Sequence, residues 1–598
     1  MDIEKVLPRN EIATEYKWAT EDIYSSDEAF LEELNQFKAN IPEISRFDGI
    51  ATQSAKSLLE YYEFYAGNIP VIDKLIHYSM LKSDEDTSVS KYQDFRNQAT
   101  SAYIEYDSAN SFFIPQLLSL SEDKLNSYYE EEPQLAFYRK DIENKRRFAE
   151  HVLDEQGELL MSMAAELTNA PDNIFGLLSN ADLTFSPVVY EGKEYPVTHG
   201  TFIPLLENPN SDIRRLAFKS LYRTYDQFSN TFASLLASQM KALSFNAKAR
   251  KYNSTLEAAL DATNVNPKVY HNLIKTIHDN MDYMYQYVDL RKKIMKTDEL
   301  HIYDVYTPLV PESSSKIPYE TAKENVLNAL AVLGDEYISV LKSGFENRWI
   351  DIYENTGKRS GAYSAGCIVH PFVLLNHKDT LDSEFTLAHE MGHAMHSYLS
   401  NTNQAPLYAD YVIFVAEVAS TCNEALLMQY LLNHITDKNE RIALINHFLD
   451  QFKGTIYRQT MFAEFELKMN ELVAQGASLT SDLLKQEYKQ LVHLYFGDNI
   501  VLDDEIALEW ARIPHFYYNY YVYQYATGFS AAIALSKQIL EEGQPAVDRY
   551  LKFLSSGCTA DPVSLLKIAG VDMESPKPIE DALKLFGKLI KEMEELTT

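Results

Sequence analysis

The sequence contains little cysteine, glycine or proline, and each shortage excludes a class of protein. Its three cysteines, Cys367, Cys422 and Cys558, are widely separated and odd in number, so they do not form a disulfide framework. Only 20 glycines and 21 prolines occur among 598 residues, and long helical periods run between them. We therefore expect a mainly helical protein in a reducing compartment, large enough for at least two lobes.

Basic residues are also scarce, since 54 lysines and arginines stand against 87 aspartates and glutamates, giving a formal net charge of −33. A field of this sign repels phosphate backbones and anionic membrane surfaces, so we expect neither nucleic acid nor a membrane as partner. No run approaches the roughly 18 apolar residues of a membrane span. The N-terminal segment carries acidic residues and no apolar core. These features predict a cytoplasmic protein of unknown oligomeric state.

Two segments interrupt the helical pattern. In Phe185–Val197, β-forming runs flank a turn at Glu191 and predict a hairpin. In 359–377, small and β-branched residues predict two strands. We place the boundary between the lobes beside the hairpin, which gives an N-terminal helical lobe over 1–195 and a second region over 196–598.

The motif HEMGH, His389 to His393, carries the chemistry that is easiest to recognise. Residues four apart on an α-helix differ by about 40° around its axis. The imidazoles of His389 and His393 therefore point the same way, one turn apart, as two ligands of one metal must. Glu390 lies about 100° from His389 around the helix, where a carboxylate reaches a metal-bound water as a base. The alternative is a solvated helix face that happens to carry two histidines.

The third ligand must come from elsewhere in the chain. The zinc sites with three histidines need glycine at position 396 and histidine at 399, and this chain has His396 and Leu399, so we interpret His396 as a packed or supporting residue. In the helical segment 414–432, Glu417 lies among apolar residues, and a buried carboxylate needs a metal or a cationic partner. Glu424 on the same helix face is predicted to orient a histidine ligand.

These stretches resemble the thimet-oligopeptidase family of zinc metallopeptidases, and within it oligoendopeptidase F. The resemblance rests on HEMGHAMH, on FVAEVAST, and on IPHFYYNYYVYQYATG at Ile513–Gly528, with further matches at Pro196–Phe218 and Tyr303–Leu309. It extends from about residue 115, inside the N-terminal lobe, to the C-terminus. The resemblance implies a mainly α, two-lobed, zincin-like metallopeptidase with a deep central channel and one zinc ion per chain. The predicted small β element is expected beside the helix that carries the HEMGH motif.

The resemblance also implies roles for individual residues. The matching residues are the zinc ligands His389, His393 and Glu417, the catalytic base Glu390, and three groups that assist catalysis, His515, Tyr520 and Tyr523. The connection between His515 and the tyrosines is shorter and less rich in glycine than in the mammalian branch of the family. A flexible glycine loop that gates the substrate is therefore not expected here.

We expect a zinc metalloendopeptidase that hydrolyses internal bonds of short oligopeptides. A zinc-activated water would carry out the reaction with Glu390 as general base. Oligopeptide substrates are the only partners expected. A zinc exopeptidase is the first alternative, in which Arg512 would hold a terminal carboxylate. The second is a non-catalytic helical peptide-binding scaffold, whose closed structural zinc would need a fourth protein ligand, usually a cysteine. Cys422 lies five residues past Glu417 and so faces away from that residue's side of the helix. The strands predicted in 359–377 would either bind the peptide along an exposed edge or brace the zinc helix.

Overall fold

The computed structural model describes residues 6–310 and 316–597. Within these residues the α-helices are, in chain order, α1 (Asp27–Asn40), α2 (Ala55–Glu85), α3 (Ser90–Ala109), α4 (Phe113–Leu118), α5 (Glu122–Glu131), α6 (Arg139–Arg146), α7 (Glu155–Leu177), α8 (His199–Leu206), α9 (Ser211–Gln227), α10 (Ser229–Ala249), α11 (Thr255–Asp261), α12 (Pro267–His278), α13 (Met281–Met295), α14 (Tyr319–Leu330), α15 (Asp335–Glu346), α16 (Leu381–Asn403), α17 (Pro406–Ala409), α18 (Ile413–His434), α19 (Lys438–Gln451), α20 (Arg458–Ala474), α21 (Ser481–Phe496), α22 (Tyr523–Glu542), α23 (Gln544–Leu554), α24 (Pro562–Ala569) and α25 (Lys577–Thr597). The strands of the same residues are β1 (Val188–Tyr190), β2 (Lys193–Tyr195), β3 (Ile350–Asp351), β4 (Tyr363–Ala365) and β5 (Phe372–Leu374).

The predicted mainly helical architecture with a small β element is confirmed. Scarce glycine and proline leave few interruptions, so long segments keep their i to i−4 hydrogen bonds. Among the described helices, none combines the length and the apolar character needed to cross a lipid bilayer.

The chain forms two compact units, and each unit consists of three separate chain segments. Unit 1 comprises Met1–Glu150, Ser315–Leu431 and Leu535–Gly570. Unit 2 comprises His151–Ser314, Leu432–Ala534 and Val571–Thr598. The division of the chain between residues 195 and 196 that the sequence suggests stays a prediction.

In unit 1, aromatic side chains join the N-terminal helices to a small sheet. Phe30 of α1 stacks on Tyr78 of α2 and on Phe95 of α3, with ring centroids 5.2 and 4.8 Å apart. Phe372 and Cys367 belong to the same buried apolar cluster. Burial of such rings contributes a large part of the hydrophobic stabilisation of this unit.

The small sheet of unit 1 has the strand order β3-β5-β4. Strand β3 runs parallel to β5, while β4 runs antiparallel to it with Ser364 opposite Val373, so β4 is an edge strand. Helix α16 packs against both β4 and β5, and Asn401 of this helix donates a hydrogen bond to the Gly366 carbonyl at 3.1 Å. The two strands predicted in 359–377 are confirmed. Strand β3 was not predicted, because its two residues are too few to show an alternating pattern.

In unit 2, the predicted hairpin is confirmed as β1 and β2, which pair with Val188 opposite Tyr195. Its turn residues Glu191 and Gly192 have φ values of 49° and 79°. A two-residue turn needs such positive values to match the right-handed twist of the flanking strands. Most of the other described residues of the unit are helical, and α10 packs against both α7 and α20.

Candidate active site

The helices α16 and α18 approach each other in unit 1 more closely than side chains normally allow. A Cβ atom on Gly392 would lie 2.5 Å from Ser420 Cα and 2.8 Å from the carbonyl oxygen of Ala419, which is closer than real Cβ atoms come. Asn423 of α18 also donates a hydrogen bond to the Ala388 carbonyl of α16 at 3.2 Å. The glycine inside the HEMGH motif therefore permits the contact that brings α18 against both histidines.

Three potential ligand atoms converge where the two helices meet. The Nε2 atoms of His389 and His393 are 3.2 Å apart, and they lie 3.4 and 3.7 Å respectively from Glu417 Oε2. A tetrahedral zinc site with bonds of about 2.0–2.2 Å has ligand–ligand edges of about 3.3–3.6 Å. The three side chains therefore fit one zinc-sized ion and leave a fourth corner open.

The carboxylate of Glu424 orients one of these imidazoles. His389 Nδ1 lies 2.5 Å from Glu424 Oε1, so Nδ1 carries the proton and Nε2 keeps its lone pair. A carboxylate behind a histidine is the usual support of a metal-ligating imidazole, because it fixes the tautomer and the ring plane. The orienting role predicted for Glu424 is supported by this contact.

Glu390 lines a cavity of unit 1 of about 1200 Å³ together with His389, His393 and Glu417. Only 7% of the residue is exposed. Burial raises the pKa of its carboxyl to about 7. His389 lowers this pKa by less than burial raises it, and the nearby Glu417 carboxylate raises it further. A carboxylate in such a cavity can accept a proton and release it again near neutral pH.

His396 does not join the three converging side chains. It is buried, and its ring stacks on Tyr411 with centroids 3.7 Å apart and planes at 9°. Burial lowers the pKa of this imidazole to about 3, so it stays neutral at ordinary pH. The interpretation of His396 as a packed residue agrees with these contacts.

The other three predicted site residues belong to unit 2. His515 is half-buried, and burial lowers the pKa of its imidazole. Its ring centroid lies 5.5 Å from that of Tyr518, 6.3 Å from Tyr521 and 6.1 Å from Tyr525. The sequence offered these three tyrosines in the run YYNYYVYQY, but its pattern did not indicate which ones surround the histidine.

Tyr520 and Tyr523 pack around a different residue of unit 2. Their ring centroids lie 5.6 and 5.1 Å from that of Tyr270, and both residues are 2% exposed. The phenol oxygen of Tyr520 is 2.8 Å from Thr255 Oγ1. Burial raises the pKa of both phenols above the usual range, so both keep their protons and remain hydrogen-bond donors.

A buried carboxyl holds the backbone where these tyrosines begin. Asn519 and Tyr520 have φ values of 54° and 57°, a left-handed conformation that costs free energy in residues other than glycine. Glu466 Oε1 accepts the Tyr520 N–H at 2.7 Å, and its Oε2 atom has no hydrogen-bond partner. Burial raises the pKa of Glu466 to about 8, so the carboxyl is mainly protonated at neutral pH.

We expect Glu466→Gln to preserve this turn, because the amide oxygen still accepts the Tyr520 N–H. The folded-state pKa of about 8 exceeds the unfolded value of about 4.3. The stability that the native carboxyl contributes is therefore complete below pH ~4.3 and is lost as the pH rises to about 8. Urea unfolding across this window should show the glutamine variant gaining stability relative to the native protein as the pH rises.

Glu466→Leu is the matched control, because it removes the acceptor and leaves the Tyr520 N–H buried without a partner. We expect it to lose about 1–3 kcal/mol of unfolding free energy. Parallel pH dependence of the native protein and the glutamine variant would contradict the assignment of a buried, protonated Glu466.

The alternative functions each invoke one residue, Arg512 or Cys422. Arg512 donates to Glu509 Oε1 at 2.8 Å and to the Tyr222 hydroxyl at 3.0 Å, and all three are mostly buried. The Arg512 guanidinium is therefore already hydrogen-bonded within the protein, which disfavours it as the group that would hold a substrate carboxylate in an exopeptidase. Cys422 is fully buried, and it joins neither group of potential metal ligands among the described residues.

Two protein-family models match the chain. Residues 204–585 match the model of peptidase family M3, and residues 116–185 match the model named oligopeptidase F. The first match contains all the converging ligands as well as Glu390 and the tyrosine-rich segment.

Individual proteins are similar over nearly the whole chain. Oligopeptidase PepF of Bacillus subtilis is 47% identical over 590 residues, covering 98% of this chain and 88% of that protein. A crystal structure of a Chlamydophila abortus protein has a TM-score of 0.93 at 34% identity, covering 99% of this chain and 100% of the other. The crystal structure of oligoendopeptidase-F from Enterococcus faecium has a TM-score of 0.74 at 37% identity, with 95% and 99% covered.

Proposed function

This chain belongs to peptidase family M3 and is a metalloendopeptidase that cleaves oligopeptides, and we propose that one zinc ion and the base Glu390 carry out the reaction. The proposed ligands are His389, His393 and Glu417. The observation that supports them is the convergence of their ligand atoms at the edge lengths of a tetrahedral zinc site. The substrates we propose are short oligopeptides of the cytoplasm.

When bound, a zinc ion supplies a Lewis acid that polarises the scissile carbonyl and lowers the pKa of a water molecule from about 15.7 towards 7. Glu390 holds that water, and its carboxylate accepts a proton as the water oxygen attacks the carbonyl carbon. Glu390 then transfers the proton to the amide nitrogen, and the C–N bond breaks to release an amine and a carboxylate. Glu424 keeps His389 Nδ1 protonated throughout, so that Nε2 stays a ligand.

We assign His515, Tyr520 and Tyr523 to hydrogen-bond donation towards the oxyanion that develops on the carbonyl oxygen. This assignment is supported by the family to which the chain belongs and by the chemistry of the groups. Burial keeps both phenols protonated and His515 neutral, so each can donate without being ionised. One such donor typically contributes about 2.7–4 kcal/mol to the transition state.

Strand β4 is the proposed docking edge for the peptide backbone. It is the outer strand beside α16, and Tyr363 and Ser364 line the cavity that also contains Glu390. A peptide that adds to a sheet edge is held mainly through its own backbone, which allows many side-chain sequences. This mode of binding favours broad specificity among short peptides.

Glu417→Ala tests the ligand set directly. We expect the variant to hold one metal ion per chain fewer than the native protein after dialysis and to lose its activity, because two histidines alone hold zinc weakly. Metal analysis of the dialysed protein is the measurement. Glu424→Gln is the matched control on the same helix, and we expect it to keep a metal site weakened by about 10–100-fold.

Unchanged metal content and full activity in Glu417→Ala would contradict the assignment. In that case Glu424, the other carboxylate in contact with His389, would become the ligand. If both variants lose metal on dialysis but fold natively by circular dichroism, a metal titration distinguishes them. A weaker metal affinity in Glu417→Ala than in Glu424→Gln would still support Glu417.

A further inference from the structure

A second group of metal-ligating side chains lies in unit 1. Asp73 and His77 are one turn apart on α2, and Cys367 follows β4 by two residues. One ligand atom from each of these side chains lies within 4.8 Å of the other two. The proposed peptide hydrolysis assigns no role to any of the three.

The group is held in place by hydrogen bonds. Asp73 Oδ2 accepts the Ile368 N–H at 2.8 Å, which joins α2 to the segment after β4. His77 Nδ1 lies 2.9 Å from the backbone oxygen of Asp73 and 3.1 Å from its Oδ1. The separation of Nδ1 and Oδ1 is close to the ligand–ligand edge of about 3.3–3.6 Å in a tetrahedral zinc site, so both atoms can bind one ion in place of their contact with each other. The imidazole of His77 also shares a side-chain hydrogen bond with the thiol of Cys367, so His77 is in contact with both other members of the group.

The thiol of Cys367 contributes a soft ligand at the inner side of the group. Its residue is completely buried in the apolar cluster of unit 1. Asp73 and His77, by contrast, line the cavity that also contains His389 and Glu390. An ion can therefore reach the group from the cavity, although the sulfur itself is not exposed.

We propose that Asp73, His77 and Cys367 bind a second zinc ion in the cavity wall, separate from the ion at His389 and His393. Thiolate, imidazole and carboxylate are the ligands that zinc takes in proteins, and three of them leave a fourth position for water. The thiolate and the carboxylate together neutralise the two positive charges of the ion. Because the ligands come from α2 and from the segment after β4, the ion links the proposed peptide-binding edge to the N-terminal helices and stabilises it.

Cobalt titration of the reduced full-length protein tests this site, with His389→Ala/His393→Ala as background to remove the first group. A sulfur-to-cobalt charge-transfer band needs a thiolate ligand, and the first group contains no sulfur. We expect the band to saturate at one Co²⁺ per chain and to disappear when Zn²⁺ is added. We also expect Zn²⁺ to raise the thermal unfolding temperature of this background, because a ligand that binds only the folded state stabilises it.

Cys367→Ser and His77→Ala should each abolish the band and the thermal shift, whereas Cys558→Ser, which changes a cysteine outside the group, should leave both unchanged. His77→Ala serves as the second variant because it keeps the buried Cys367 side chain itself in place. Absence of the band in the His389→Ala/His393→Ala background, or a band that survives Cys367→Ser, would overturn the proposal. If instead the ligands at His389 and His393 do not bind metal, the native protein would bind only the one Co²⁺ that gives the thiolate band. The failure of one site is therefore distinguishable from the failure of the other.

Discussion

Glu390→Gln is expected to lower kcat by about a thousandfold, because general acid–base catalysis typically contributes about 10²–10⁴-fold. Glutamine has nearly the shape of glutamate, but its amide accepts no proton from water at neutral pH. The variant should therefore keep its fold and its metal, since Glu390 is not one of the three converging ligands. Single-turnover hydrolysis of a peptide, with metal analysis of the same sample, measures both quantities.

Glu384→Gln is the matched control for this substitution. Glu384 is on the same helix and is also buried, and burial raises the pKa of its carboxyl to about 7. Asn325 donates to its Oε1 at 2.7 Å, and a glutamine oxygen can accept the same bond. We expect turnover near the native value. Near-native turnover of Glu390→Gln, or an equal loss in both variants, would contradict the role of Glu390 as the base.

Gly392→Ala is expected to have a large effect on activity, although the change adds a single methyl group. Its Cβ would lie 2.5 Å from Ser420 Cα, so α16 and α18 must move apart. Overpacking of this kind costs about 1–3 kcal/mol, and a displacement of about 1 Å at a catalytic group can cost about a hundredfold in rate. We expect weaker metal binding and a fall in kcat/KM of about that size, because Glu417 moves with α18.

Gly67→Ala provides the control for the effect of replacing glycine in a helix. Gly67 lies within α2, and a Cβ on it would meet nothing within 4 Å. This variant should be neutral or gain about 0.5–1 kcal/mol of stability, because alanine favours the helix. Unchanged metal affinity and activity in Gly392→Ala would show that the close contact between α16 and α18 is not needed for the site.

The sequence predicted the local parts of the site because the helical period is a local property. The separation of His389 and His393 places two imidazoles on one face, and the structure brings their Nε2 atoms to 3.2 Å. Glu424 and the strands β4 and β5 were predicted on similar grounds, from spacing on a helix and from alternation of small and β-branched residues. The catalytic roles of these residues stay proposals.

Local sequence patterns did not predict the contacts between segments that are distant in the chain. Nothing in the sequence links Asp73 and His77 to Cys367, because their proximity depends on how α2 packs against the sheet. Glycine is a poor helix former, whereas the structure shows that Gly392 permits the contact with Ser420. Both cases depend on tertiary packing, which periodicity along one segment does not report.

The tyrosine-rich segment shows the same limit. A run of tyrosines does not separate groove positions from core positions, and the structure divides them by backbone conformation. The left-handed residues Asn519 and Tyr520 turn the chain, so that Tyr520 and Tyr523 face Tyr270 while Tyr521 faces His515. A pair of left-handed residues without glycine has no reliable signature in sequence.

Hydrolysis of a fluorescence-quenched peptide of about ten residues, blocked at both ends, tests the central claim most directly. The reaction is followed with and without a zinc chelator, and the products are mapped by mass spectrometry. We predict internal cleavage that the chelator abolishes and added zinc restores, and none of this restored activity in His389→Ala. Cleavage that resists the chelator, or cleavage only of a peptide with free ends, would contradict a zinc-dependent endopeptidase centred on this site.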